Sequence, residues 1–404
     1  MREPLGPGQI RSFWAAWGGW TLDGMDSFIY ALVLVPSLRE LLPRSGIQPT
    51  AGTIGFYGGI LFAVFLVGWG LALVWGPVAD RFGRVRTLAL TILCYALFTF
   101  LGALSHNVWE LGVYRFFAGI GIGGEWAIGG TLVAEDWPES RRASGAGWMH
   151  TGYYVGIFIA GLVNWGIGSR FGWRAMFAVG GLPALLVAFI RYGVAEPQRW
   201  KAKIGKLSRW TAARPLATLF SPAYRRRTIL NALYVTVSIC GLWAGSVYVP
   251  AAVTQLALRA GSAAPQAARL ASWAAMLLSA ATIAGCLLMP AMAERWGRRW
   301  TLALFFLCML LFLCLVFLGI GGASFAVYTL WLPEQYPTEC RATAFSFTTS
   351  IGRFAGAGMT FLVGAGAAYF HTIGIPVALT AIAFVAGLAL LPLGAETRGL
   401  PLPD

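Results

Sequence analysis

The chain is 404 residues long, 58% hydrophobic and 11% charged, with a formal net charge of +14. A soluble globular chain carries about 25% charged residues, so a water-facing surface of this size is excluded. Apolar segments of about 20 residues recur from end to end, each able to cross a bilayer core of roughly 30 Å, and the composition defines an all-α polytopic membrane protein.

Twelve transmembrane spans are predicted: near 12–36, 53–77, 87–104, 109–134, 143–167 and 172–194, then near 228–256, 267–292, 301–318, 319–336, 343–368 and 373–393. The opening MREPLGPGQIR is not read as a signal peptide. The apolar run after it is long, carries two Asp and ends in no small-residue cleavage site. The predicted organisation is a six-helix bundle over 1–195, a basic linker over 196–227 and a second six-helix bundle over 228–404. With the N-terminus in the cytoplasm, 21 of the 30 Lys and Arg fall in inward loops and 6 in outward ones, as the positive-inside rule requires. Both termini are then cytoplasmic, in the inner or plasma membrane. The stretch 196–228 holds nine Lys/Arg and one Glu; it suits anionic lipid headgroups, and charge placed between spans argues against a nucleic-acid partner.

The chain repeats itself. GPVADRFGRVR (76–86) follows the second span and MPAMAERWGRRW (289–300) the eighth; VAEDWPESRRA (133–143) returns as LPEQYPTECRA (332–342). Such parallel repeats place a substrate site at their interface near the bilayer midplane. One stretch is anomalous: Arg86 to Glu135 covers 49 positions, but Arg299 to Glu334 only 35. Either 301–336 forms two short or tilted helices with a turn near Gly319–Gly322, or a segment is absent. The six cysteines form no CxxC pair and are expected as buried free thiols. With His106, His150 and His371 far apart, no metal site or cofactor is predicted.

These residues resemble the major facilitator superfamily over essentially the whole chain. GPVADRFGRVR resembles its loop signature G-x-x-x-D-R-x-G-R. YRFFAGIGIGGEW (114–126), AEDWPESRR (134–142), GWRAMF (172–177), AEPQRW (195–200), LPEQYPTECRATAF (332–345) and AETRG (395–399) resemble the "sugar and other" branch. The seventh span lacks the glutamine-rich signature of sugar porters, and the fifth lacks the glycine signature of multidrug antiporters. DGMD in the first span, with an arginine in the eleventh, is more similar to proton symporters of aromatic acids and small organic anions.

The candidate intramembrane charges are Asp23, Asp26, Arg115, Glu125 and Arg353. Each costs about 2.5–3.5 kcal/mol at a helix centre, so they should face a cavity or one another. Asp23 and Asp26 share a helical face; two carboxylates so close in a low dielectric cannot both ionise readily, which suits proton coupling, unless both merely bond backbone around Gly24. The resemblance implies that Asp26 takes the proton and that Arg115 pairs with it. Arg353 has a planar fork suited to a carboxylate and glycines beside it (Gly352, Gly356, Gly358); it either binds substrate or snorkels to headgroups. By resemblance His150 stands where a substrate-binding glutamine occurs. Tyr153, Tyr154, Asn231, Tyr234, Trp243 and Tyr248 are weaker substrate-site candidates, and Trp14, Trp17 and Trp20 are expected to pack. A further set, Asp80, Arg81, Arg84, Glu135, Arg142, Glu294, Arg298, Glu334 and Arg341, is implied to form a cytoplasmic gate.

The function expected is proton-coupled symport of a small organic carboxylate by alternating access, by a monomer and without enzymatic activity. The alternatives are a neutral or cationic metabolite, for which Glu125 could serve, a uniporter, or a transporter-like receptor, against which the short tails argue.

Overall fold

The computed structural model describes residues 4–204, 213–243, 259–311, 315–370 and 374–403, with positions 249, 253, 256 and 257. Among the described residues all regular structure is helical. The first half comprises α1 (Pro7–Arg44), α2 (Ala51–Leu71), α3 (Trp75–Phe82), α4 (Arg84–Gly102), α5 (Val108–Asp136), α6 (Arg142–Val163), α7 (Ser169–Val179) and α8 (Ala184–Gly193). The linker contributes α9 (Gln198–Ile204) and α10 (Ala213–Leu219). The later half contributes α11 (Arg225–Ser238), α12 (Ala264–Trp296), α13 (Arg298–Leu311), α14 (Leu315–Gly322), α15 (Ser324–Trp331), α16 (Arg341–Phe370), α17 (Gly374–Thr380) and α18 (Ile382–Leu390).

The helices are amphipathic in the sense that suits lipid. On α4, Leu90, Leu93, Leu97 and Phe100 are exposed, while Thr91, Tyr95 and Thr99 are buried. Hydrocarbon is a good solvent for leucine and a poor one for hydroxyls, so the polar stripe turns inward. Among the described residues, five stretches are long and apolar enough to cross a membrane, including Phe56–Phe82, Arg84–Gly102 and Val108–Asp136. The first of these joins α2 to α3 through a 3-10 turn, Ala72–Val74.

The repeat seen in the sequence is a repeat of geometry. Gly83 (φ +114°) separates α3 from α4, and Gly297 (φ +89°) separates α12 from α13. After Gly83, the Glu196 carboxylate accepts from the backbone N–H groups of Arg84 (2.7 Å), Val85 and Arg86. After Gly297, Glu396 accepts from Arg298 (3.0 Å) and Arg299. A carboxylate at a helix start satisfies orphan donors and complements the helix dipole. AEPQRW and AETRG thus hold equivalent positions in the two halves.

Two expected spans differ in detail. The sixth is broken between α7 and α8 around Gly180–Pro183. In the short stretch, the turn expected near Gly319–Gly322 is replaced by helix, since α14 (Leu315–Gly322) runs through it. Those glycines lie inside α14 because the backbone needs them there. A Cβ on Gly319 would strike the Leu278 carbonyl of α12, and one on Gly321 would strike Met309 and the Phe305 carbonyl of α13. The two legs are antiparallel, since Arg298 at the start of one pairs with Glu334 after the other. At about 21 Å for α13 and about 25 Å for Leu315–Trp331, both are shorter than a bilayer core.

A central hollow, a sealed charge cluster and a latch

The halves meet where α6 packs on α12 and α15, and α16 packs on α2, α3 and α5. At this junction lies a hollow of about 30 Å³. Arg353 enters it from α16. Its Nη1 donates to the Thr349 carbonyl at 2.7 Å, and its Cζ stands 4.2 Å from the Trp69 ring centroid and 5.6 Å from that of Trp126. Trp20, Trp126, His150, Tyr153 and Phe325 form the aromatic walls. Trp20 stacks on Trp126 at 5.8 Å between centroids, and Phe325 stacks on His150 at 6.2 Å. Leu66, Tyr154 and Ile239 complete the lining. The Trp126 indole donates to Thr329 at 2.8 Å, joining the halves. A space of this size holds about one or two waters.

Arg353, His150, Tyr153 and Tyr154 therefore sit together as the sequence suggested. Asn231 and Tyr234 do not. Asn231 donates to Gln335 (3.2 Å) and Tyr336 (3.1 Å), and the Tyr234 hydroxyl donates to the Leu390 carbonyl at 2.8 Å. Both are engaged by neighbours of α11 and do not line the hollow. Trp243 and Tyr248 lie outside the residues whose side chains are described, as do His371 and Cys314. Trp20, expected only to pack, lines the hollow. Trp69, Trp126 and Phe325 also line it, and nothing in the sequence marks an aromatic in an apolar span as cavity-facing. Gly352 and Gly356 face Ile239, so they serve helix approach. Gly24 likewise lies against the Tyr153 carbonyl.

The other intramembrane charges face one another inside the first half and do not line the hollow. Asp26 and Arg115 are both fully buried and 3.6 Å apart. Arg115 also lies over Phe65 (4.3 Å) and Tyr30 (4.6 Å). Asp23 accepts from Ser27 at 3.2 Å and Glu125 from Thr91 at 3.0 Å. Asp23 and Asp26, although three residues apart, thus turn to different partners.

At the end bearing the repeated loops, charges lock the halves together. Arg84 grips Glu135 through Nε (3.0 Å) and Nη2 (2.9 Å) and reaches Asp80 at 3.1 Å. Glu135 also takes Arg341 at 2.8 Å. Asp80 crosses to the start of α16, accepting from the backbone of Thr343 at 2.9 Å and from its hydroxyl at 2.5 Å. The later half repeats the grip: Arg298 holds Glu334 at 2.8 and 3.1 Å, Arg142 approaches Glu334 at 3.6 Å, and Thr397 donates to it at 2.6 Å. Two residues of the expected set stand outside this buried core. Arg81 is exposed, and Glu294 is 54% exposed at the rim, 3.3 Å from Arg298.

A helical bundle with repeated halves, a small hollow between them and buried charge inside has the build of a membrane transporter. The chain belongs to the Major Facilitator Superfamily, whose family model matches residues 17–318. It is 30% identical to a probable 4-methylmuconolactone transporter of Cupriavidus pinatubonensis, over 98% of this chain and 93% of that protein. It is 28% identical to a gallate transporter of Pseudomonas putida, over 94% and 90%. Among solved structures, the proton:xylose symporter XylE superposes with a TM-score of 0.78 at 18% identity, over 98% of both chains. The protein is a multi-pass membrane transport protein with the superfamily fold, and not an enzyme.

Proposed function

We propose that this protein is a proton-coupled symporter of small organic carboxylates, and that a flat ring acid fits it best. The observation that carries this reading is Arg353, a guanidinium at the edge of an aromatic-walled hollow between the halves. Arginine offers a planar fork for a carboxylate, and indole faces suit a ring. The relatives named for organic acids support the same class. A cationic substrate would need an acid at the hollow, and among the described residues none lines it.

In this reading Asp26 and Arg115 form the switch. With Asp26 ionised the pair holds α1 to α5; with it protonated the pair weakens and the helices can part. Protonation couples only if it favours one conformation over the other. The latch corresponds to a closed cytoplasmic side, both termini lie in the cytoplasm, the two six-helix bundles rock as a monomer, and the basic linker rests on anionic lipid of the inner or plasma membrane.

The test is binding of benzoate to purified protein, read by tryptophan fluorescence. Arg353→Ala should weaken it about 10- to 100-fold, the value of a charged hydrogen bond, and Arg353→Lys should not restore it. Unchanged affinity in Arg353→Ala would remove the clamp, and benzylamine binding in place of benzoate would reverse the substrate class.

A further inference from the structure

Two acids of the first half have no part in the switch. Asp23 on α1 and Glu125 on α5 are both fully buried. Each has one oxygen near a hydroxyl, and each has another, Asp23 Oδ2 and Glu125 Oε1, buried without a hydrogen-bond partner. They share one place in the fold. A Cβ added at Gly19, one turn before Asp23, would strike the Glu125 carboxylate, and residues four apart lie on one helical face.

The chemistry of Thr91 adds to this. Its single hydroxyl hydrogen has two acceptors in reach, the Leu88 carbonyl at 2.8 Å and Glu125 Oε2 at 3.0 Å. One hydrogen cannot serve both well. A protonated Glu125 resolves the conflict by donating to the Thr91 oxygen while Thr91 donates to Leu88. The other groups facing the two acids are Asp26 on α1, Tyr95 on α4, whose buried hydroxyl also lacks a partner, and Arg353 on α16. Trp20, three residues before Asp23 and on the same helical face, lines the hollow that Arg353 enters, yet Arg353 forms no ion pair with either acid within 4.0 Å among the described residues.

We propose that Asp23 and Glu125 form a second proton site, distinct from the Asp26–Arg115 pair, whose occupancy is tied to the substrate through Arg353. Two buried carboxylates with so few donors do not both stay ionised. In the empty protein the charge of Arg353 offsets that of Asp23. A substrate carboxylate arriving at Arg353 neutralises it, and the acid pair takes up one proton in compensation. One anion and one proton enter together, and by linkage each strengthens binding of the other. This coupling rests on Arg353 being the anion clamp; the proton site itself does not.

The experiment therefore has an arm without ligand. Infrared spectra of the ligand-free protein at neutral pH should show a protonated carboxyl stretch that Asp23→Asn/Glu125→Gln removes. No such band in the wild type, or an undiminished band in the double variant, overturns the site. In the second arm, benzoate affinity is measured across pH, with proton uptake followed in weakly buffered wild type. The wild type should take up one proton per benzoate and lose affinity about tenfold per pH unit above the titration of the pair, while the double variant, or either single variant should the double not fold, should lose that slope. A slope kept in these variants, or no proton uptake, overturns the coupling. A normal infrared result with no benzoate binding at any pH would keep the proton site and reject the carboxylate reading of Arg353.

Discussion

At the scale of single residues, charge is placed where a partner waits. Arg353 stacks on Trp69, and Arg115 stands between Asp26 and the faces of Phe65 and Tyr30. Opposite the latch, Glu40 takes hydrogen bonds from the Trp173 indole (2.7 Å) and Arg174 (2.6 Å). Desolvation works against ionisation there, but those two hydrogen bonds and the charges of Arg174 and Arg44 together hold the Glu40 carboxyl below its ordinary value. A depressed carboxyl contributes stability above its unfolded pKa and loses it as pH falls through the folded one. Thermal unfolding of Glu40→Gln should accordingly be less pH-dependent than wild type on the acid side and lower at neutral pH; an unchanged acid limb would contradict this. Arg115, Asp26 and Arg353 were legible in the sequence because a charge in an apolar run is rare and costly. Trp20, Trp69 and Trp126 were not, because an indole facing a cavity and one facing lipid read alike, and Asn231 gave no sign that Gln335 and Tyr336 would occupy it.

At the scale of elements, small residues and helix-start carboxylates decide how the pieces fit. The stretches Phe56–Phe82, Arg84–Gly102, Val108–Asp136 and Met276–Trp296 were readable from apolar length alone. The helix across Gly319–Gly322 was not, because a Gly-rich segment suits a turn as well as a close helix crossing. In α14, Gly321 meets α13 closely enough that a side chain would displace Met309 or the Phe305 backbone. Gly321→Val should lower stability by about 1–3 kcal/mol, as overpacking does, seen as a lower unfolding temperature in detergent. Wild-type stability in that variant would mean the α13–α14 crossing is looser than described.

At the scale of the whole molecule, the repeated loops act as paired grips on one end of the junction. The sequence showed their repetition plainly, but not that Asp80 would reach across the halves to the start of α16. Removing that acceptor leaves backbone donors of α16 without an anion, so Asp80→Ala should favour opening at this end. Labelling of a cysteine placed at Ala342 should then speed up severalfold; an unchanged rate would assign the latch a purely structural part. The central claim concerns coupling, and it is tested most directly by benzoate uptake into proteoliposomes under an imposed inward proton gradient. The account predicts that wild type accumulates benzoate and that Asp26→Asn, left with the Asp23–Glu125 site alone, accumulates far less at the same gradient while keeping benzoate counterflow. Accumulation equal to wild type in Asp26→Asn would contradict it.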